Sequence, residues 1–108
     1  MDDIVAKAVA APFGVLGTHD PDRGPHLIPV VFAALGDELT IPVDRVKRKK
    51  PGLLRRVMNL RLDPRATLLI DHRPDDWEGL WWARAEVVLT TEDGDPTPLR
   101  SKYTQYRD

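Results

Sequence analysis

Nine basic residues fall between Arg45 and Arg65, namely Arg45, Lys47, Arg48, Lys49, Lys50, Arg55, Arg56, Arg61 and Arg65. Asp63 is the single acid among them, so the stretch carries +8 while the rest of the chain carries -9. A positive field of that density attracts a compact multi-anionic ligand, and an acidic remainder repels an extended polyanion. The ordinary alternative for such a block is a solvated face that keeps the protein soluble.

Other candidate chemistry is sparse. His19, His26 and His72 form no i, i+4 pair and have no carboxylate arrangement of zinc-site type. Asp71, Asp75, Asp76 and Glu78 are hard-cation ligand types, but the spacing of a calcium loop is missing and Pro74 interrupts them, which reads as a solvated turn. There is no phosphate-cradling glycine loop and no serine in a nucleophile elbow. Self-contained hydrolysis or phosphoryl transfer is therefore not expected. Trp77, Trp81 and Trp82 fall within six positions. Adjacent residues on a strand point to opposite faces, so one ring of the Trp81-Trp82 pair is free to fill the core while the other faces a partner or flat ligand. Packing at a subunit interface explains the pair equally well.

The elements that position these residues follow from periodicity and punctuation. Asp2-Asp3 ahead of Ile4, Val5, Ala8 and Val9 reads as a short helix ended by Pro12. Residues 13–18 and 27–35 read as strands separated by the turn formers of 20–25, and residues 39–43 as a third, giving an antiparallel meander. A helix over residues 51–61 places Leu53, Leu54, Val57, Met58 and Leu60 in the core by default and Arg55 and Arg56 beside them, near a helix start that itself favours anions. Residues 66–71 and 80–89 read as two more strands, residues 91–98 as an acidic linker and 99–106 as a short helix. Five mostly antiparallel strands with peripheral helices predict a mainly β fold, a small β-barrel.

At 108 residues the chain is expected to form one domain, residues 1–108, burying roughly two-thirds of its extended surface. That leaves no room for a separate cofactor domain, so a sizeable ligand is expected on the surface or between subunits. The absence of cysteine excludes disulfides, thiolate metal sites and cysteine nucleophiles. The longest apolar stretch, residues 27–35, is too short for a bilayer, and the acidic start lacks the pattern of a signal peptide. A cytoplasmic protein without membrane contact is expected.

Residues 14–32 (GVLGTHDPDRGPHLIPVVF), residues 58–71 (MNLRLDPRATLLID), Asp75-Asp76-Trp77 and Leu80-Trp81-Trp82 resemble the pyridoxamine 5′-phosphate oxidase-like split β-barrel superfamily. More narrowly, they are similar to its actinobacterial branch of deazaflavin (coenzyme F420)-dependent oxidoreductases. The resemblance spans about residues 13–90 and is carried chiefly by Asn59-Leu60-Arg61 followed by Asp63-Pro64-Arg65 after a basic helix.

The resemblance implies an antiparallel split barrel of FMN-binding type, a homodimer with the cofactor at the subunit interface, and hydride transfer between F420 and a small organic substrate. It places Lys47, Lys49, Arg55 and Arg56 at the phosphate tail and Asn59 at the family's asparagine. It puts His26, Pro29 and Val30 beside the ring, and Trp81 reaching the site, from either subunit. No catalytic side chain and no metal is implied, since the cofactor carries the hydride chemistry. A phosphodiester and polyglutamate tail suits a +8 stretch better than riboflavin phosphate alone. FMN is the alternative cofactor, and a cofactor-free binding module with a basic patch is a second alternative. Nucleic acid is disfavoured because no aromatics interleave with the basic residues. Members of the superfamily commonly run past the short C-terminal helix into a further strand, which a chain ending at Asp108 lacks; an incomplete barrel is expected.

Overall fold

The computed structural model describes residues 3–42, 55–90 and 97–103. Helix α1, Asp3–Ala10, carries its acid in the first turn, where Asp3 pairs with Lys7 one turn on at 3.3 Å. Strands β1, Gly14–Asp20, and β2, Gly24–Val30, form an antiparallel hairpin. Its turn is closed by the buried Asp20, whose Oδ1 accepts the N–H groups of Asp22 at 2.9 Å and Arg23 at 3.1 Å. Gly24 then takes φ +81°, a left-handed conformation that costs glycine little.

The expected three-strand meander does not form. The second strand stops at Val30, and a separate short hairpin follows, β3 (Ala33–Leu35) with β4 (Glu38–Thr40). The reason lies at Phe32, whose backbone is claimed by the C-terminal region rather than by a neighbouring strand. Its carbonyl accepts from Lys102 Nζ at 3.0 Å and from Tyr103 Oη at 2.8 Å, just beyond helix α3, Thr97–Lys102. The other edge of β1 is taken instead by β5, Arg65–His72, which pairs in turn with β6, Trp81–Val88. The main sheet is thus antiparallel in the order β2-β1-β5-β6. Among the described residues the two sheets are not joined into a closed barrel. The last residue of the expected 39–43 strand, Val43, lies outside the described residues.

The sheet has one buried face. Register places Leu16, Ile28 and Leu68 in one row and Thr18, His26 and Ala66 in the next, all on the inner side. Leu68 and Phe32 are fully buried at the centre, with Val30, Ile70, Ala8 and Ala11 around them. Burial of a leucine contributes roughly 1.5–3 kcal/mol. Gly14 keeps β1 close to β5, since a Cβ there would sit 2.9 Å from Leu68 Cδ1. The opposite face carries Val15, Leu27, Leu69 and Trp82, of which the last three are exposed.

Helix α2, Arg55–Leu62, departs from its expected stripe. Met58 is exposed, and the buried residue is Asn59. A helix of two turns touches β1 through few positions, and the inward one is occupied by a polar side chain that finds a polar partner. Leu53 and Leu54 lie outside the described residues.

Candidate functional site

Two positions on the inner face of β1 break its apolar pattern, Thr18 and Asp20, and both are buried. A buried polar group needs a partner. α2 engages both: Asn59 Nδ2 donates to Thr18 Oγ1 at 3.0 Å, and Arg55 Nε forms an ion pair with Asp20 Oδ2 at 3.6 Å, beyond hydrogen-bond distance. The Asp20 carboxyl titrates below the usual carboxylate range, chiefly because the Asp22 N–H hydrogen-bonds its charged form. These contacts fix the start of α2 over the end of the β1–β2 hairpin. His26 stands directly across from Thr18 in the ladder, on the same face.

This cluster keeps unspent hydrogen-bonding capacity. Asp20 Oδ2, His26 Nδ1 and Asn59 Oδ1 are buried without a hydrogen-bond partner. The ion pair engages Arg55 through Nε, on a side chain 43 % exposed. Arg56 is turned the other way, donating from Nη2 to the Pro42 carbonyl at 2.6 Å. The half-exposed Arg55 guanidinium beside the helix start suits a polar, anionic group, whereas the unpartnered Asn59 Oδ1 is an acceptor and does not.

The remaining expected site residues are scattered. Val30 is buried in the core, and Asn59 is 1 % exposed, so neither side chain faces solvent. Pro29 is exposed on the outer face, across from Val15. Trp81 is on the inner face but at the far end of the sheet, paired with His72 and stacked on its ring at 6.1 Å between centroids. Six residues of strand separate that row from the row of Thr18, about 20 Å at 3.3 Å per residue. Within one chain, then, Arg55, Asn59 and His26 gather, and Trp81 does not join them. Lys47 and Lys49 lie outside the described residues.

Sequence reasoning missed Thr18 and Asp20. The signal was present: in the alternation of β1 they occupy the face of Leu16, and an aspartate two and three residues before Asp22 and Arg23 is a turn-capping pattern. Sequence reasoning also missed a cleft of about 490 Å³ between α1, β3 and α3, lined by Val9, Ala34, Leu35, Pro98 and Lys102. It is mostly apolar, and the Lys102 ammonium lies 3.8 Å over the Phe32 ring, with its pKa lowered by burial. Among the described residues no group of three or more His, Asp or Glu is placed to hold a metal. No described helix is long and apolar enough to cross a membrane.

No family model matches the chain, and no curated protein does. Solved structures with the same fold do exist. One superposes with a TM-score of 0.69 at 21 % identity, covering 95 % of this chain and 66 % of its own. Another is the crystal structure of conserved hypothetical protein Rv2991 from Mycobacterium tuberculosis, with a TM-score of 0.62 at 28 % identity, covering 82 % of this chain and 51 % of its own. The chain therefore spans about two-thirds of the first structure and about half of the second.

Proposed function

We propose that this protein is an F420-dependent oxidoreductase of split-barrel type, cytoplasmic and homodimeric, that moves a hydride between the deazaflavin and a small organic substrate. The observation that carries the reading is the start of α2, where Arg55, ion-paired through Nε with the buried Asp20 carboxylate, keeps a side chain 43 % exposed close to the hairpin that carries His26. The strongest concentration of positive charge in the sequence surrounds it. The Arg55 guanidinium and the basic residues around it suit the phosphodiester and carboxylates of the F420 tail. Arg55, with Lys47 and Lys49, would hold that tail through charge-assisted bonds, and His26 would meet its polar end. The bound cofactor supplies the hydride chemistry; the chain's own residues bind, orient and exclude water. That division of labour agrees with the lack of a recognisable acid, base or nucleophile constellation in the sequence.

Fluorescence titration with F420, and separately with FMN, at low and moderate salt tests the reading. Saturable F420 binding at one per chain, weakened by salt and at least tenfold weaker in the Lys47→Ala/Lys49→Ala variant, is the expected result. Preference for FMN moves the protein to the flavin branch. Binding of neither overturns the assignment in favour of a cofactor-free module.

A further inference from the structure

The apolar cleft between α1, β3 and α3 stands apart from the polar cluster at α2, and neither Arg55, His26 nor Asn59 lines it. Its walls are Val9 of α1, Ala34 and Leu35 of β3, and Pro98 and Ser101 of α3. Val9 is 38 % exposed and Leu35 69 % exposed, so these walls keep apolar surface in contact with water. The volume of about 490 Å³ falls in the range of roughly 300–1,000 Å³ that small-molecule pockets occupy. The walls are also pinned. Tyr103 Oη lies 2.8 Å from the Phe32 carbonyl and 3.0 Å from that of Pro12, which fixes the end of α3 against the segments that follow α1 and precede β3.

Among the described residues that line this cleft, Lys102 is the only charged one. Its Nζ donates to the Phe32 carbonyl at 3.0 Å and stands over the ring of the same residue. No carboxylate among the described residues pairs with it. A partly buried ammonium without a countercharge is disfavoured, and desolvation accordingly lowers the Lys102 pKa. An ammonium has three donors, of which the Phe32 carbonyl takes one. An anion brought beside it supplies the missing countercharge in a poorly hydrated setting, where the attraction is stronger than in water.

We propose that this cleft is a second ligand site, taking a small amphiphilic carboxylate with its apolar body against Val9, Ala34, Leu35 and Pro98 and its carboxylate on Lys102 Nζ. The single cation selects an anion over the matching alcohol or amine. It also selects one negative charge over the several that the block between Arg45 and Arg65 attracts. The apolar walls select a hydrocarbon chain or ring over a sugar or a nucleotide, whose polar groups would lose water there without gaining partners. The site goes beyond the F420 reading and does not rest on it.

Calorimetric titration with octanoate, octanol and octylamine tests it. Octanoate should bind at one per chain, about tenfold tighter than octanol, and octylamine should not saturate. Lys102→Met should bring octanoate down to the affinity of octanol. Leu35→Glu alters an exposed side chain and leaves Lys102 in place, so it should weaken octanoate binding about tenfold while the circular dichroism stays native. Amide shifts on adding octanoate should concentrate at Val9, Ala34, Leu35 and Thr97–Lys102. The absence of saturable octanoate binding overturns the proposal, as does equal affinity for octanoate and octanol in the wild type or an unchanged preference in Lys102→Met. Shifts centred on α2 overturn it too, since they mark attraction to the basic block. None of these readouts uses F420, so the failure of one reading leaves the other testable.

Discussion

Asn59 illustrates how much one residue can decide. Its Nδ2 donates to Thr18 Oγ1 and its Oδ1 has no partner, so it pins α2 to β1 while holding one hydrogen-bonding site in reserve. Truncation to alanine leaves the Thr18 hydroxyl buried and unpaired, a loss of about 1–3 kcal/mol. Replacing both members by apolar groups of similar shape is far less costly than the sum of the single losses. Urea denaturation of Asn59→Ala, Thr18→Val and Thr18→Val/Asn59→Leu should show that non-additivity; strictly additive losses would sink the pairing. The sequence's helical spacing marked Val57, Met58 and Leu60 as the inward stripe, yet Met58 is exposed and Asn59 is the buried residue. Periodicity reports which face of a helix is apolar on average, not which side chain meets a partner across the interface.

At the scale of elements, α3 is held by a few contacts of high specificity. Tyr103 Oη lies 2.8 Å from the Phe32 carbonyl and 3.0 Å from that of Pro12, and Lys102 Nζ donates to the same Phe32 oxygen. Leu99 is buried beneath. Tyr103→Phe should cost about 1 kcal/mol and speed hydrogen exchange selectively across Thr97–Lys102. Unchanged exchange there would mean that Leu99 alone docks the helix. These contacts explain why a run of β-forming residues from 27 to 35 splits after Val30: backbone groups committed to a distant segment are lost to the ladder. Strands, turns and helix positions near 3–10, 14–30, 65–72 and 81–88 were readable from alternation and punctuation. The break at Phe32 was not, because its cause lies some seventy residues away.

For the whole molecule, charge distribution governs response to acid. Asp63 is held at a pKa of about 2 by the Arg65 side chain, which hydrogen-bonds it at 3.0 and 2.8 Å, against an ordinary value of 3.8. A carboxyl depressed in the folded state contributes stability in full above its unfolded pKa and loses it as pH falls toward the folded value. Asp20 acts in the same direction. Denaturation midpoints of Asp63→Asn should therefore change less than wild type between about pH 4 and about pH 2. An identical acid limb in both proteins would refute the role of the Asp63–Arg65 pair.

The sequence by itself determined that the chain is mainly β with short helices, where most strands and turns fall, that its positive charge is concentrated between Arg45 and Arg65, and that the Trp81-Trp82 pair must split between two faces. Each of these depends on neighbours along the chain, through alternation, turn chemistry and charge counting. Only the tertiary structure decided that β1 pairs with β5, that Thr18, Asp20, His26, Arg55 and Asn59 converge, and that Trp81 lies at the other end of the sheet. Strand order and side-chain convergence depend on which distant groups satisfy one another's hydrogen bonds and burial, and no local pattern encodes that choice.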